Sequence, residues 1–117
     1  MRWSMQLEAK KYLYDIQQAV SLLAQFTAGK RFADYAADDM MRAAVEREFE
    51  IIGEALAQLA KLDPKLATGI SDHRSIINFR NILIHGYADV DERLVWDVVE
   101  TRLPVLSREI DALLGAD

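Results

Sequence analysis

The stretch DMMRAAVEREFEIIGEALAQLAKL, residues 39–62, carries the clearest structural signal in this chain of 117 residues. Its apolar side chains recur at the three- and four-residue spacing that places them on one face of an α-helix. The stretch therefore predicts a long helix that begins near Asp38 or Asp39 and ends before Asp63. The apolar stripe consists of Met41, Val45, Phe49, Ile52, Leu56 and Leu59.

The sequence before this stretch predicts one further helix. Apolar residues from about position 5 to Thr27 keep the same helical spacing, and Gly29 follows as a C-terminal stop. We interpret residues 31–37 as a short turn that leads into the long helix.

The sequence after the long helix predicts a third helix that runs to about His85. Ser71 or Asp72 can cap its N-terminus, because both side chains carry an oxygen that accepts from free backbone N–H groups. Gly86 is the natural residue to end it, since glycine favours the left-handed conformation after a helix.

The last third of the chain predicts one helix and a final helical segment. Asp89 is followed three residues later by Glu92, which resembles a capping box at the start of a helix. That helix reaches Pro104, which either kinks it or starts a new turn. The final segment covers residues 105–114, where apolar positions again lie on one side.

These patterns predict an all-α fold, an antiparallel bundle of four to five helices, because no segment alternates with the period of a strand. A chain of this length is enough for one compact domain and too short for two, so we expect a single domain over residues 1–117. The chain has no cysteine, which excludes disulfides and a cysteine nucleophile.

Composition gives further expectations about location and partners. No apolar stretch is long enough to cross a bilayer, and the N-terminus lacks a signal-peptide pattern, so we expect a cytoplasmic protein without membrane contact. The net charge of −5 argues against a general nucleic-acid binder, because phosphate contacts need a positive surface. Binding of RNA would therefore require a local cluster of basic residues.

Arg80 does not fit the apolar pattern of the third predicted helix. Its neighbours three and four positions away are all aliphatic. A guanidinium in such an arc must be paired, reach water along its stem, or line a cleft. One purely structural explanation is an ion pair with Glu48, whose own neighbours at these spacings are apolar. The aliphatic neighbours of Arg80 are Ile76, Ile77, Leu83 and Ile84.

His85 follows Arg80 by five residues, which is about 140° around an ideal helix. The two side chains share a face only if the helix ends near Gly86 and turns His85 back towards a cleft. In an extended chain beyond that point, Tyr87 would lie on the same side as His85. The alternative roles are a helix cap for His85 and a loop aromatic packed on the core for Tyr87.

The segment FRNILIHGY, residues 79–87, resembles the signature of HEPN domains, in which an arginine and a histidine are separated by a few residues. The tyrosine two positions after the histidine resembles the HepT toxin branch of that family. The likeness covers nearly the whole chain. It includes FEIIGEA at residues 49–55, Val90-Asp91, Val95-Trp96 and Leu103-Pro104.

This resemblance implies a helical bundle that pairs through a two-fold axis and brings two Arg/His motifs to one cleft. It implies a ribonuclease that cleaves RNA, with Arg80 stabilising the phosphate and His85 transferring protons. Asn81 is a supporting candidate because it is polar and adjacent to Arg80. Glu50 and Glu54 share one face of the long helix, where they either orient Arg80 or His85 or are ordinary solvated charges. Gly53 between them permits close approach of another helix.

No metal ion or other cofactor is expected. Two histidines a dozen residues apart, without a helical pair of ligands, do not resemble a metal site. His73 precedes the helix that carries the motif, so we do not count it as catalytic.

The resemblance also implies partners. HepT-like toxins of type VII toxin–antitoxin systems are encoded with a minimal nucleotidyltransferase antitoxin that adds AMP to the motif tyrosine, which is Tyr87 in this sequence. Two other functions fit the residues. One is a non-catalytic HEPN subunit that binds nucleotides or serves as an adaptor for the nucleotidyltransferase. The other is a structural helical dimer in which Arg80 pairs with Glu48.

Overall fold

The computed structural model describes residues 6–86 and 89–115. Within these residues the chain forms five helices of ten or more residues and two short ones, and it contains no strand. The prediction of an all-α bundle is therefore confirmed. The helices are α1 (Leu7–Thr27), α2 (Phe32–Ala37), α3 (Asp39–Leu62), α4 (Pro64–Ala67), α5 (His73–Gly86), α6 (Glu92–Thr101) and α7 (Leu103–Gly115).

The long helix α3 lies at the centre of the bundle. It packs most extensively against α1 and α5, and it also contacts α2 and α4. Its N-terminus is capped by Asp38, whose carboxylate accepts from the backbone N–H of Met41 at 3.0 Å. Every residue of the predicted apolar stripe is buried. The boundaries and the buried face of this helix are thus confirmed.

The predicted turn over residues 31–37 is wrong, because α2 occupies most of it. Asp34 accepts from the backbone N–H of Arg31 at 2.8 Å and closes the first turn of this short helix. Tyr35 is fully buried, and its ring centroid lies 5.3 Å from that of Trp96 on α6. Packing against a residue distant in the sequence therefore stabilises a helix that has little local signal.

Helix α5 begins where the sequence predicted, directly after Asp72, but its capping differs from the prediction. Ser71 and Asp72 do not cap the helix with their side chains. The backbone N–H of Ser71 donates to Glu109 on α7 at 2.9 Å, and Asp72 accepts from Arg102 at 2.6 Å. Asp72 has a φ of 53°, and its carbonyl accepts the first helical hydrogen bond, from Ile76 at 3.2 Å. Polar contacts with the C-terminal part of the chain thus fix where α5 begins.

The end of α5, predicted at about His85, is confirmed within one residue, but the predicted left-handed conformation of Gly86 is wrong. The helix continues through Gly86, which does not have a positive φ. A Cβ at Gly86 would lie 2.9 Å from Cγ2 of Val90, so close packing is what favours glycine there. The predicted capping box of Asp89 is also wrong, because the N-cap of α6 is Asp91.

Helices α6 and α7 meet where proline was expected to interrupt the pattern. Helix α6 ends at Thr101, and α7 begins at Leu103, so Pro104 lies in the first turn of a new helix, where its missing N–H is tolerated. This confirms the second of the two alternatives. Among the residues described here, no helix combines the length and the apolar character needed to cross a membrane.

Candidate functional site

Arg80 lies where α5 crosses α3, directly over Gly53. A Cβ at Gly53 would lie 2.7 Å from Cγ of Arg80 and even closer to its Cβ, distances that real side chains do not tolerate. The expectation that Gly53 permits close approach of another helix is therefore confirmed. The approaching helix is α5, and the backbone of α3 forms a wall behind the stem of Arg80.

Among the described residues, the guanidinium of Arg80 forms one weak ion pair, and most of its N–H donors have no partner. Its Nη1 lies 3.3 Å from Oε2 of Glu54, and the two side chains are 21% and 54% exposed. Nε of Arg80 is buried and has no hydrogen-bond partner among the described residues. A guanidinium carries five N–H groups, so an anion can still bind to it. The pair with Glu54 is open to solvent rather than closed.

The ion pair between Arg80 and Glu48 that the sequence suggested is wrong. Glu48 precedes Gly53 by five residues, which is about 7.5 Å along the axis of α3 and about 140° around it. Glu48 is only partly buried, and this burial raises the pKa of its carboxyl, while the neighbouring Arg47 lowers it. The carboxylate beside Arg80 belongs to Glu54, the residue next to the crossing point.

Two further glutamates lie on the side of α3 that carries Gly53. Glu50 is partly buried, and its Oε1 lies 3.7 Å from Nη1 of Arg47. Glu46 was not among the predicted site residues. Burial raises the pKa of its carboxyl, the charge of Glu50 raises it further, and Arg42 lowers it. The sequence signal that could have identified this face is the spacing of its charged residues. Arg42, Glu46 and Glu50 recur every four residues, and Gly53 follows Glu50 by three, so all four lie on one side of the helix.

His85 and Asn81 project from α5 into solvent. Both side chains are exposed, and α5 is helical past both of them. Because the helix does not end before Gly86, His85 stays about 140° around the axis from Arg80. The expectation that His85 turns back towards Arg80 within one chain is therefore wrong. The predicted modification site, Tyr87, lies outside the described residues.

The charge of α5 differs from that of the whole chain. The helix contains two arginines, two histidines and no acidic residue, whereas the chain has a net charge of −5. Along its exposed side, Arg74, Asn78, Asn81 and His85 follow one another at intervals of four, three and four residues, so they form one line. Helix α5 thus carries basic side chains and no acidic one, with Arg74 on the exposed line and Arg80 on another side of the helix.

The residues of α5 provide groups for phosphate chemistry. Arginine keeps its charge at any physiological pH and presents a planar set of donors to phosphate oxygens. Histidine can both accept and donate a proton near neutral pH. Within residues 6–86 and 89–115, no group of three or more histidine or acidic side chains is placed to hold a metal ion.

Comparisons with known proteins agree on one family. The family model described as "Ribonuclease HepT-like" matches residues 16–113. A relative from Thermococcus cleftensis, named "Probable ribonuclease HepT", is 36% identical over 104 residues, which cover 89% of this chain and 94% of the relative. These residues include the long helix α3 and the motif on α5.

Two other relatives have similar coverage. "Putative RNase MJ1380" of Methanocaldococcus jannaschii is 31% identical over 89% of this chain and 94% of its own length. "Putative RNase TTE0752" of Caldanaerobacter subterraneus is 30% identical over 90% of this chain and 93% of its own length. No solved structure gives a significant match.

Proposed function

Because this chain belongs to the HepT-like ribonuclease family, we propose that it is a metal-independent endoribonuclease whose active site combines Arg80 and His85 from two copies of the chain. The single observation that supports a composite site is the uninterrupted helix α5. In one chain the guanidinium and the imidazole point to different sides of that helix. Two copies related by a two-fold axis can bring an arginine and a histidine to the same phosphate.

The surface of α5 between the two catalytic side chains suits contact with a second copy. Ile84 lies about 40° around the helix from Arg80 and about 100° from His85, and it is 38% exposed. The neighbouring Ile77 is partly exposed as well. Apolar side chains that are unburied in the single chain are common at the centre of homodimer interfaces. We place the two-fold axis near Ile84, so that both motifs lie beside it.

The proposed reaction is an attack of a ribose 2′-oxygen on the adjacent phosphate. The imidazole of His85 in one copy removes the proton of the 2′-hydroxyl, and Arg80 stabilises the charge on the pentavalent phosphate. The bond between phosphorus and the 5′-oxygen breaks, and His85 of the second copy protonates that oxygen. The products are a 2′,3′-cyclic phosphate and a free 5′-hydroxyl, so water and metal are not needed for this step.

The supporting residues have distinct positions in this proposal. Glu54 holds the guanidinium of Arg80 through Nη1, and in this proposal a phosphate binds at the outer end of the same guanidinium. Asn81 lies about 40° around α5 from His85 and can orient either the imidazole or the phosphate. Glu50 contributes negative charge next to the crossing point and pairs with Arg47.

Substitution of the two motif residues tests the catalytic assignment. We expect His85→Ala and Arg80→Ala to lower cleavage of single-stranded RNA by about a hundredfold or more, because each removes proton transfer or phosphate stabilisation. His73→Ala, on the same helix, is the matched control and should cleave at the wild-type rate. Sedimentation must show that all variants keep the same oligomeric state. Cleavage by His85→Ala at the wild-type rate would disprove the assignment.

We further propose that the chain is the toxin of a type VII toxin–antitoxin system. A nucleotidyltransferase antitoxin would transfer AMP from ATP to the hydroxyl of Tyr87 and release pyrophosphate. Tyr87 follows His85 by two residues, so a negatively charged AMP there would repel the phosphates of RNA from the site. The toxin role rests on the family, in which this arrangement of genes is typical.

Mass spectrometry tests this modification. Coexpression with the nucleotidyltransferase encoded beside it should add about 329 Da per AMP to the peptide that contains Tyr87. A Tyr87→Phe chain, treated in the same way, should stay unmodified and remain toxic. An unmodified wild-type peptide in the presence of active antitoxin would contradict the proposal.

A second candidate function is a non-catalytic subunit that binds nucleotides or serves as an adaptor for a nucleotidyltransferase. Two observations favour it: the net charge of −5, and the presence of a carboxylate already beside Arg80. It predicts tight association with the nucleotidyltransferase and no cleavage of RNA under any condition. The cleavage assay distinguishes the two functions, because only a ribonuclease cleaves RNA and loses that cleavage in His85→Ala.

A further inference from the structure

A groove between α5 and α6 lies next to the exposed line of Arg74, Asn78, Asn81 and His85. Its volume is about 240 Å³, and its walls are mainly apolar, with Phe79 and Ile82 from α5 and Leu94 and Val98 from α6. Ile82 and Leu94 are 41% and 40% exposed, so the walls are open to solvent in the single chain. Sites for drug-sized ligands have volumes of roughly 300–1,000 Å³, so this groove suits a smaller flat group.

The polar rim of the groove contains both a hydrogen-bond donor and an acceptor without partners. Asn78 offers the amide on the α5 side, and Asp97 offers a carboxylate on the α6 side. Neither side chain has a hydrogen bond or ion pair to another residue in the described part of the chain. The other two polar lining residues are Ser75, which offers a hydroxyl, and Arg102, which is already held by Asp72 at 2.6 Å.

We propose that this groove binds one unpaired guanine of the RNA substrate and sets the sequence preference of cleavage. The inference rests on the proposed ribonuclease function and adds a base-recognition site to it. Guanine is the base that presents two adjacent N–H donors beside a carbonyl on its pairing edge. The carboxylate of Asp97 accepts from those two donors, and the amide of Asn78 donates to the carbonyl oxygen.

The position of the groove relative to the motif is consistent with this role. Asn78 precedes His85 by seven residues, so the two side chains lie on the same side of α5, about 10 Å apart along its axis. A phosphate at His85 and a base in the groove can therefore belong to the same short segment of RNA. Arg74 continues the line beyond Asn78 and offers a positive charge to the next phosphates.

The chemistry favours a base over a second copy of the chain as the occupant. An interface between copies would bury Asp97 away from water, and burial of a carboxylate that has no partner costs free energy. A base satisfies that carboxylate with two N–H donors and covers Ile82 and Leu94 with its flat face. Contacts between unpaired bases and apolar walls are typical of single-stranded RNA recognition.

The test compares cleavage of a pool of single-stranded RNA with random sequence. We expect the wild type to enrich guanine at one fixed position relative to the cut. Asp97→Asn should lower the preference for guanine over adenine at that position by about tenfold, because an amide matches the donor and acceptor of adenine. Glu100→Gln is the matched control, since it is an exposed acid on the same helix outside the groove, and it should keep the wild-type preference.

The outcomes separate this inference from the proposed function. Suppose that cleavage depends on His85 but that Asp97→Asn shows the same guanine preference as the wild type. This result would overturn the base-recognition site and leave the proposed ribonuclease function standing. If the wild type does not cleave RNA, fluorescence anisotropy can measure its binding of 2′-O-methyl oligonucleotides instead. We then expect the wild type to prefer guanine about tenfold and Asp97→Asn to lose that preference. Dissociation of the dimer by Leu94→Glu, measured by sedimentation, would identify the groove as an interface between copies and also overturn the inference.

Discussion

Helices α3 and α5 have similar apolar patterns in the sequence, but their apolar side chains are buried to very different extents. All six apolar residues of the α3 stripe are buried by neighbours in the same chain. In α5 only Phe79 and Leu83 are buried, while Ile82 and Ile84 stay exposed. The difference shows that the two helices have different tasks. Helix α3 stabilises the bundle, whereas α5 leaves apolar and basic side chains exposed, on the surface that we propose for a second copy and for RNA.

The largest expected effect on stability contrasts one residue from each helix. Leu56→Ala on α3 should lower the free energy of unfolding by about 2–5 kcal/mol, because it leaves a cavity in the core. Ile84→Ala on α5 should change it by about 0.5 kcal/mol or less at a protein concentration where the chain is monomeric. Urea unfolding at two protein concentrations measures both. An equal loss for the two variants under monomeric conditions would contradict the contrast.

The next effect concerns the crossing point of the two helices. Gly53→Ala should lower the free energy of unfolding by about 1–3 kcal/mol, because the new methyl group overlaps the stem of Arg80. This loss would appear although alanine favours a helix by about 1 kcal/mol over glycine. Gly115→Ala is the control, since nothing lies within 4 Å of its Cβ position. Wild-type stability in Gly53→Ala would show that α5 moves freely over α3.

The smallest effect is a pH-dependent change at Glu46, on the side of α3 that carries Gly53. Its pKa is raised in the folded chain above the ordinary value of 4.5, mainly by burial and then by Glu50, so its ionised form destabilises the fold. The wild type should therefore lose stability as the pH rises from about 4.5 through the raised pKa. Glu46→Gln removes this loss. Thermal melts should show a higher Tm for the variant at neutral pH and a smaller difference below about pH 4.5.

The sequence predicted α3 more completely than it predicted α5 and α2. Helix α3 was predicted within a residue at each end, because its stripe and its capping residue Asp38 are local features. The ends of α5 were predicted within a residue as well, but its capping was not, because Ser71 and Asp72 contact residues some thirty positions or more away along the chain. The short helix α2 was missed for a related reason, since Tyr35 is buried against the distant Trp96.

The candidate site was predictable in its residue types and only partly in its geometry. Gly53 indicated a close helix crossing, and the sequence places Arg80 among aliphatic neighbours without showing which carboxylate it meets. That choice depends on how α3 and α5 cross, and the crossing selects Glu54 rather than Glu48. The relation of His85 to Arg80 depended on whether α5 stays helical through His85, and it does so as far as Gly86, which packs closely against Val90.

The contact between Gly53 and Arg80 has a consequence for the entropy of ligand binding. The backbone of α3 lies against the first carbons of the arginine stem, so folding has already restricted the torsions nearest the main chain. Only the outer torsions remain to be fixed when an anion arrives. A flexible arginine on an open surface loses more rotamer freedom for the same contact. A single missing methyl group on one helix thus preorganises a cation on the next.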